Sequence, residues 1–140
     1  MTSSPTELPD RVLVTGAAGF IGRALVARLR EQGCHVVGVD TAPDPDPGVV
    51  QGSTVDPSSW AHLLDGVGAV VHTAAIVSNA ASHTDAWQVN VLGTRRVIEA
   101  MTPYGANSVT IIPSSPVTAW GSRSSGPGVP RVTMRFLRIL

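Results

Sequence analysis

Between Arg11 and Gln32 the chain reads RVLVTGAAGFIGRALVARLREQ, and this stretch restricts the fold more tightly than any other. Arg11–Thr15 is a short run rich in valine and leucine, the pattern of a buried strand. From Gly19 to Gln32 the apolar residues Ile21, Leu25, Val26 and Leu29 recur at the spacing of one helix face, and Gly33 marks the stop. Glycines at 16, 19 and 22 join strand to helix. Gly16 permits a tight turn off the strand, Gly19 leaves the backbone open to an anion, and Gly22 lets the helix pack closely on the sheet. A helix entered in this way points free N–H groups and the positive end of its dipole at the turn. An ordinary βα turn would also account for a glycine triplet. The flanking strand and helix, and an acid at the end of the following strand, point instead to a dinucleotide site.

That acid is Asp40, which closes the apolar run His35–Val39. It stands roughly 20 residues beyond the glycines, where a carboxylate accepts both hydroxyls of the adenosine ribose. A 2′-phosphate there would meet like charge, and no arginine follows Asp40 to receive it. NAD is therefore favoured over NADP. Arg23, near the phosphate loop, keeps NADP as the lesser alternative.

Further along, residues 41–48 hold three prolines and two aspartates and read as a solvated loop. Short strands are expected around Val49–Gln51, at Ala69–His72 and at Ser108–Ile112. Helices are expected over about Pro57–Leu64 and Asp85–Ala100. Strands alternating with helices imply right-handed crossovers and a parallel sheet covered on both faces. The expected fold is thus α/β, a Rossmann-type doubly wound parallel sheet of about five strands in the order 3-2-1-4-5. Its ligand crevice lies where the order reverses.

Composition excludes several other classes. Formal charge is zero, which gives no long-range pull toward nucleic acid or anionic lipid. The longest apolar stretch, from Val67 to Val77, is broken by His72 and too short to span a bilayer. The first ten residues are a polar arm without the apolar core of a signal peptide. With a single cysteine, Cys34, no internal disulfide forms, and a cytoplasmic address is expected. His72 has no acid or cysteine at ligand spacing, so no metal site is expected.

The glycine spacing is longer by one residue than the common GxGxxG, and Thr15–Gly22 resembles the signature of the NAD-dependent epimerase/dehydratase family, the extended short-chain dehydrogenase/reductases. Three later segments continue the likeness. Val70–Ala75 resembles the strand-four segment, Asn90–Thr94 the family's NxxGT helix segment, and Ile111–Ser115 the end of strand five. The resemblance implies that Gly16, Ala18, Gly19, Phe20, Ile21 and Gly22 form the cofactor loop. Thr73, Ala74 and Ala75 would line the nicotinamide-side ribose, and Asn90 would join the cofactor-binding set through a structural hydrogen bond near the active site. Where the family usually has an acid touching the adenine, this chain has Ser53, a weaker partner for the amine. Ser115 takes the place of the active-site hydroxyl. Because the segment from Ser115 to Gly121 is one residue longer than usual and carries Pro116, Thr118 is the alternative. Homodimerisation through helices flanking strands four and five is a further implication.

The resemblance also implies a tyrosine and a lysine four positions apart on one helix, which carry the proton transfer. This chain has no lysine, and Tyr104, its one tyrosine, precedes the fifth strand. All ten acidic residues lie at or before Glu99, while four arginines fall in the last eighteen positions. Residues 11–121 are therefore read as the NAD(P)-binding domain and 122–140 as an atypical tail, a helix or an added strand, expected of a truncated or frame-shifted product. Two functions follow. One is the NAD-binding domain of an oxidoreductase acting on a sugar nucleotide or a hydroxysteroid-like secondary alcohol. The other is a catalytically inactive NAD-binding module or remnant. The small-molecule substrate is not readable from these residues.

Overall fold

The computed structural model describes residues 8–76, 83–105, 108–111 and 131–133. Strand β1 (Arg11–Thr15) leads through the glycine turn into helix α1 (Phe20–Glu31), and β2 (His35–Asp40) and β3 (Val49–Gln51) follow. Then come β4 (Ala69–His72), α2 (His83–Trp87), α3 (Thr94–Met101), β5 (Ser108–Ile111) and β6 (Arg131–Thr133). The sheet order is β3-β2-β1-β4-β5-β6, and every pairing is parallel. This is the expected Rossmann-type order, with β6 added beside β5. Of the two forms open to the tail, residues 131–133 take the strand.

Alternation along β1 divides the core. Val12 and Val14 face α1 and pack with Ala17, Leu25, Val26, Leu29, Cys34 and Val36. Leu13 faces the other way, into a layer with Val37, Val39, Trp60, Leu64, Val70, Val97 and Met101. A parallel sheet needs both faces covered, because its crossovers place helices on each side. Among the described residues no helix is long and apolar enough to cross a membrane.

Two expectations are corrected. Residues 57–64 form two 3₁₀ turns, Pro57–Ser59 and Ala61–Leu64, in place of one α-helix. Asp56 caps the first turn through the Ser58 N–H, and Trp60 between them sits at φ −130°, outside helical space. That break turns the indole fully into the core. The helix read over Asp85–Ala100 is also not uniform, since Gln88–Gly93 forms a π-helical segment between α2 and α3. The 41–48 segment is the expected exposed loop, and it is also tied to the first helix. Arg23 and Arg30 of α1 pair with Asp44 and Asp46.

Candidate functional site

Register brings the site together. Thr15 lies opposite both Val39 of β2 and His72 of β4, so the residues just past these strands meet at one carboxyl edge. Asp40 pairs with Gln51, which brings Gly52 and Ser53 to the same edge. A cavity of about 370 Å³ opens there, lined among others by Gly16, Ala18, Gly19, Asp40 and Ser53. Thr73, Ala74, Ala75 and Ile76 form its wall beside β4.

The glycine turn is built by backbone contacts that side chains would prevent. Gly16 has φ +69°, and its N–H donates to Val39 O at 2.8 Å. A Cβ there would also lie 2.7 Å from Thr73 Oγ1. A Cβ on Gly22 would fall 2.0 Å from Gly16 O, so this glycine lets α1 close on the turn itself. The start of α1 carries no capping side chain and no acid in its first turn. Its N–H groups and dipole are thus left for an anion.

Asp40 holds the turn while keeping acceptor capacity. Its Oδ2 accepts the Ala18 N–H and its Oδ1 the Ala42 N–H, both at 2.9 Å. A carboxylate has about four lone-pair positions, so about two remain for ligand hydroxyls. Ser53 Oγ accepts the Val55 N–H at 3.2 Å, which leaves its own proton to donate. Behind it, the Trp60 indole N–H donates to Ser53 O at 2.8 Å. That support joins positions seven apart and follows no periodicity, so nothing in the sequence pattern singled out Trp60.

A buried hydrogen-bond circuit lies beneath the cavity wall. Thr94 Oγ1 donates to Asn90 O at 2.8 Å, so at 2.9 Å it accepts from His72 Nε2–H. The unprotonated Nδ1 then accepts from the Thr15 hydroxyl at 2.6 Å, and Thr15 Oγ1 accepts the Ala74 N–H at 3.3 Å. His72 is 3% exposed, and burial pushes its pKa down to about 4, in keeping with this neutral tautomer. Both of its side-chain partners are threonine hydroxyls. Asn90 grips the wall from the other end: Oδ1 accepts the Ile76 N–H at 2.8 Å and Nδ2 donates to Ile76 O at 3.0 Å. Gly93 completes the motif, since a Cβ there would meet Thr54 Oγ1 at 2.7 Å.

Of the residues singled out by sequence, Gly16, Ala18, Gly19, Asp40, Ser53, Thr73, Ala74 and Ala75 line the cavity. Gly22 and Asn90 act one layer behind it, and Ile21 and Phe20 start α1 with Phe20 96% exposed. Ser115 and Thr118 lie outside the described residues. Thr15, Thr94 and Trp60 are the supporting residues that sequence reasoning left without a role. Among the described residues no cluster of three or more His, Cys, Asp or Glu side chains could hold a metal ion.

Comparison with known proteins agrees with this fold. Residues 12–132 match the NAD dependent epimerase/dehydratase family. The chain is 37% identical over 136 residues to a 3 beta-hydroxysteroid dehydrogenase/Delta 5-->4-isomerase of Mycobacterium tuberculosis, covering 89% of this chain and 36% of that protein. It is 33% identical over 113 residues to a 2-alkyl-3-oxoalkanoate reductase of Stenotrophomonas maltophilia, covering 77% and 34% respectively. The chain thus spans about a third of the length of these curated relatives. Among solved structures it superimposes, at TM-score 0.65 and 41% identity, on a short-chain dehydrogenase/reductase superfamily protein from Agrobacterium tumefaciens with bound NAD. That match covers 72% of this chain and 31% of the other. MoeE5 in complex with UDP-glucuronic acid and NAD matches at the same TM-score with 36% identity, over 72% of this chain and 36% of that one.

Proposed function

The chain belongs to the NAD-dependent epimerase/dehydratase family, and on that footing we propose that it is the NAD-binding part of an oxidoreductase acting on a sugar nucleotide or a hydroxysteroid-like secondary alcohol. The observation that carries the proposal is the cavity at the carboxyl edge, where Asp40 and the uncapped start of α1 face one space. In this reading the backbone N–H groups around Gly19–Ile21 hold the pyrophosphate. Asp40 takes the ribose hydroxyls and Ser53 the adenine amine. Thr73–Ala75 give a flat, small-residue wall, held in place by His72 and Asn90. NAD, when bound, supplies the hydride acceptor. Residues 11–121 are the cofactor-binding unit, and a cytoplasmic location belongs to the same reading.

The substrate class is drawn from the relatives, which include a hydroxysteroid dehydrogenase and a protein seen with UDP-glucuronic acid. One observation favours a second reading, an NAD-binding module without catalysis: this chain contains no lysine, so it has no tyrosine–lysine pair for proton transfer. Calorimetric titration of the chain with NAD tests the shared premise. Saturable binding is expected, weakened about tenfold in Asp40→Asn, the loss of one charge-assisted interaction. No heat of binding on a folded protein refutes it. Turnover of a supplied secondary alcohol would remove the second reading.

A further inference from the structure

We propose that Asp44 determines the choice of dinucleotide by holding Arg23 in an ion pair, so that the arginine is withheld from a 2′-phosphate at the ribose end of the cavity. The inference rests on the NAD-binding reading above. Arg23 stands one turn beyond Gly19, its N–H donating to Gly19 O at 2.9 Å. Asp44 stands four residues beyond Asp40, and the intervening Thr41 and Ala42 line the cavity. The pair therefore spans the two chain segments that flank the position assigned to the ribose.

Its two members differ in freedom. The Asp44 side chain is 6% exposed, and its Oδ1 accepts the Asp46 N–H at 2.9 Å, so the carboxylate is fixed. Arg23 reaches Asp44 Oδ2 at 2.8 Å but remains 67% exposed, so the long cationic side chain is the part free to relocate. The other cations of α1 have partners too, Arg28 with Glu31 and Arg30 with Asp46. A guanidinium matches a phosphate as a rigid two-pronged donor, and an arginine already bound to a carboxylate must give up that partner first. Asp40 repels a 2′-phosphate directly, and Asp44 removes the charge that would offset the repulsion.

The test is calorimetry on the whole chain with NAD and with NADP, using wild type, Asp44→Asn, Asp44→Asn with Arg23→Gln, and Asp46→Asn. Asparagine keeps an oxygen for the Asp46 N–H, and Asp44→Ser supplies a second variant that does so should the first fold poorly. Asp44→Asn is expected to raise NADP affinity relative to NAD about tenfold, the scale of one charge-assisted phosphate contact. Removing Arg23 as well should abolish the gain, and Asp46→Asn should leave the ratio unchanged. An unchanged ratio in folded Asp44→Asn and Asp44→Ser overturns the inference while leaving NAD binding intact. So does a gain that persists without Arg23, or an equal gain in Asp46→Asn. A folded wild type that binds neither dinucleotide overturns the NAD-binding reading, and this inference with it.

Discussion

Lowering the pH should weaken this fold through one residue, His72. Its ordinary pKa is 6.5, and burial pushes it down to about 4 in the native state. Above both values the ring is neutral in folded and unfolded chains, and His72 adds no pH dependence. Between them the unfolded chain takes up a proton that the native state refuses. Stability is therefore lost as pH falls from about 6.5 to about 4, and levels off below. A depression of this size corresponds to about 3 kcal/mol at the acid end of the window. Geometry gives the same sign. An imidazolium donates from both nitrogens, so Nδ1 could no longer accept the Thr15 hydroxyl proton, which would have to turn away from the ring.

Urea unfolding measured from about pH 7 down to about pH 4, on wild type and on His72→Asn, isolates the effect. The asparagine amide sits where Nδ1 was and can accept from Thr15, but it does not titrate. Carboxylates and the other histidines contribute equally to both proteins, so the difference between the two curves belongs to His72. Wild type should lose about 3 kcal/mol more than the variant across the window. Parallel curves would refute both the neutral tautomer and the hydrogen-bond directions derived from it.

Two further outcomes follow from contacts in the same region. Gly22→Ala gains about 1 kcal/mol in helix propensity, but its Cβ would lie 2.0 Å from backbone Gly16 O, and overpacking of that kind costs about 1–3 kcal/mol. The melting temperature should fall and NAD affinity drop more than tenfold as the turn is displaced; a rise in melting temperature sinks the argument. Asn90→Ala deletes both hydrogen bonds to Ile76. It should cost about 1–3 kcal/mol and speed amide exchange at Ile76 at least tenfold, whereas unchanged protection there would show that the clamp holds nothing.

The parts of the fold legible in sequence are those set by short-range pattern. β1, the glycine turn and α1 follow from periodicity and three small residues, and Asp40 from its place at a strand end. The sheet order then follows from crossover handedness. What could not be read depends on contacts between distant positions. Residues 57–64 have helical spacing, but Trp60 must turn into the core and donate to Ser53 O, and the chain breaks to allow it. The π-helical segment has a similar cause, since Asn90 must face Ile76 while Gly93 meets Thr54. The 41–48 loop did carry a signal. Arg23 and Arg30 stand two turns apart on one helix face, and Asp44 and Asp46 stand two residues apart in the loop, where the Asp44 carboxylate accepts the Asp46 N–H. Two basic residues on one helix face and two acids in the loop beside it form a pattern that composition alone conceals.

The polar residues of the sequence motifs divide by whether they face the cavity. Asp40, Ser53 and Thr73 do. Thr15, His72, Asn90 and Thr94 are absent from its lining, yet they connect three segments that lie far apart in sequence. Through His72, the glycine turn and the Asn90–Thr94 segment hold the wall at Ala74 and Ile76, one residue apart from each other across Ala75. Truncating any member leaves a buried donor or acceptor unpaired, a cost of about 1–3 kcal/mol wherever in the circuit the cut is made. Conservative changes at Thr15 or Thr94, neither of which lines the cavity, should therefore weaken NAD binding along with stability. Residues that never touch the cofactor and residues that do would then answer to the same assay, and the difference between them would show in amide exchange at Ala74 and Ile76. A Thr94→Val protein that exchanged at the wild-type rate at both amides would show that the wall does not depend on the link between Thr94 and His72.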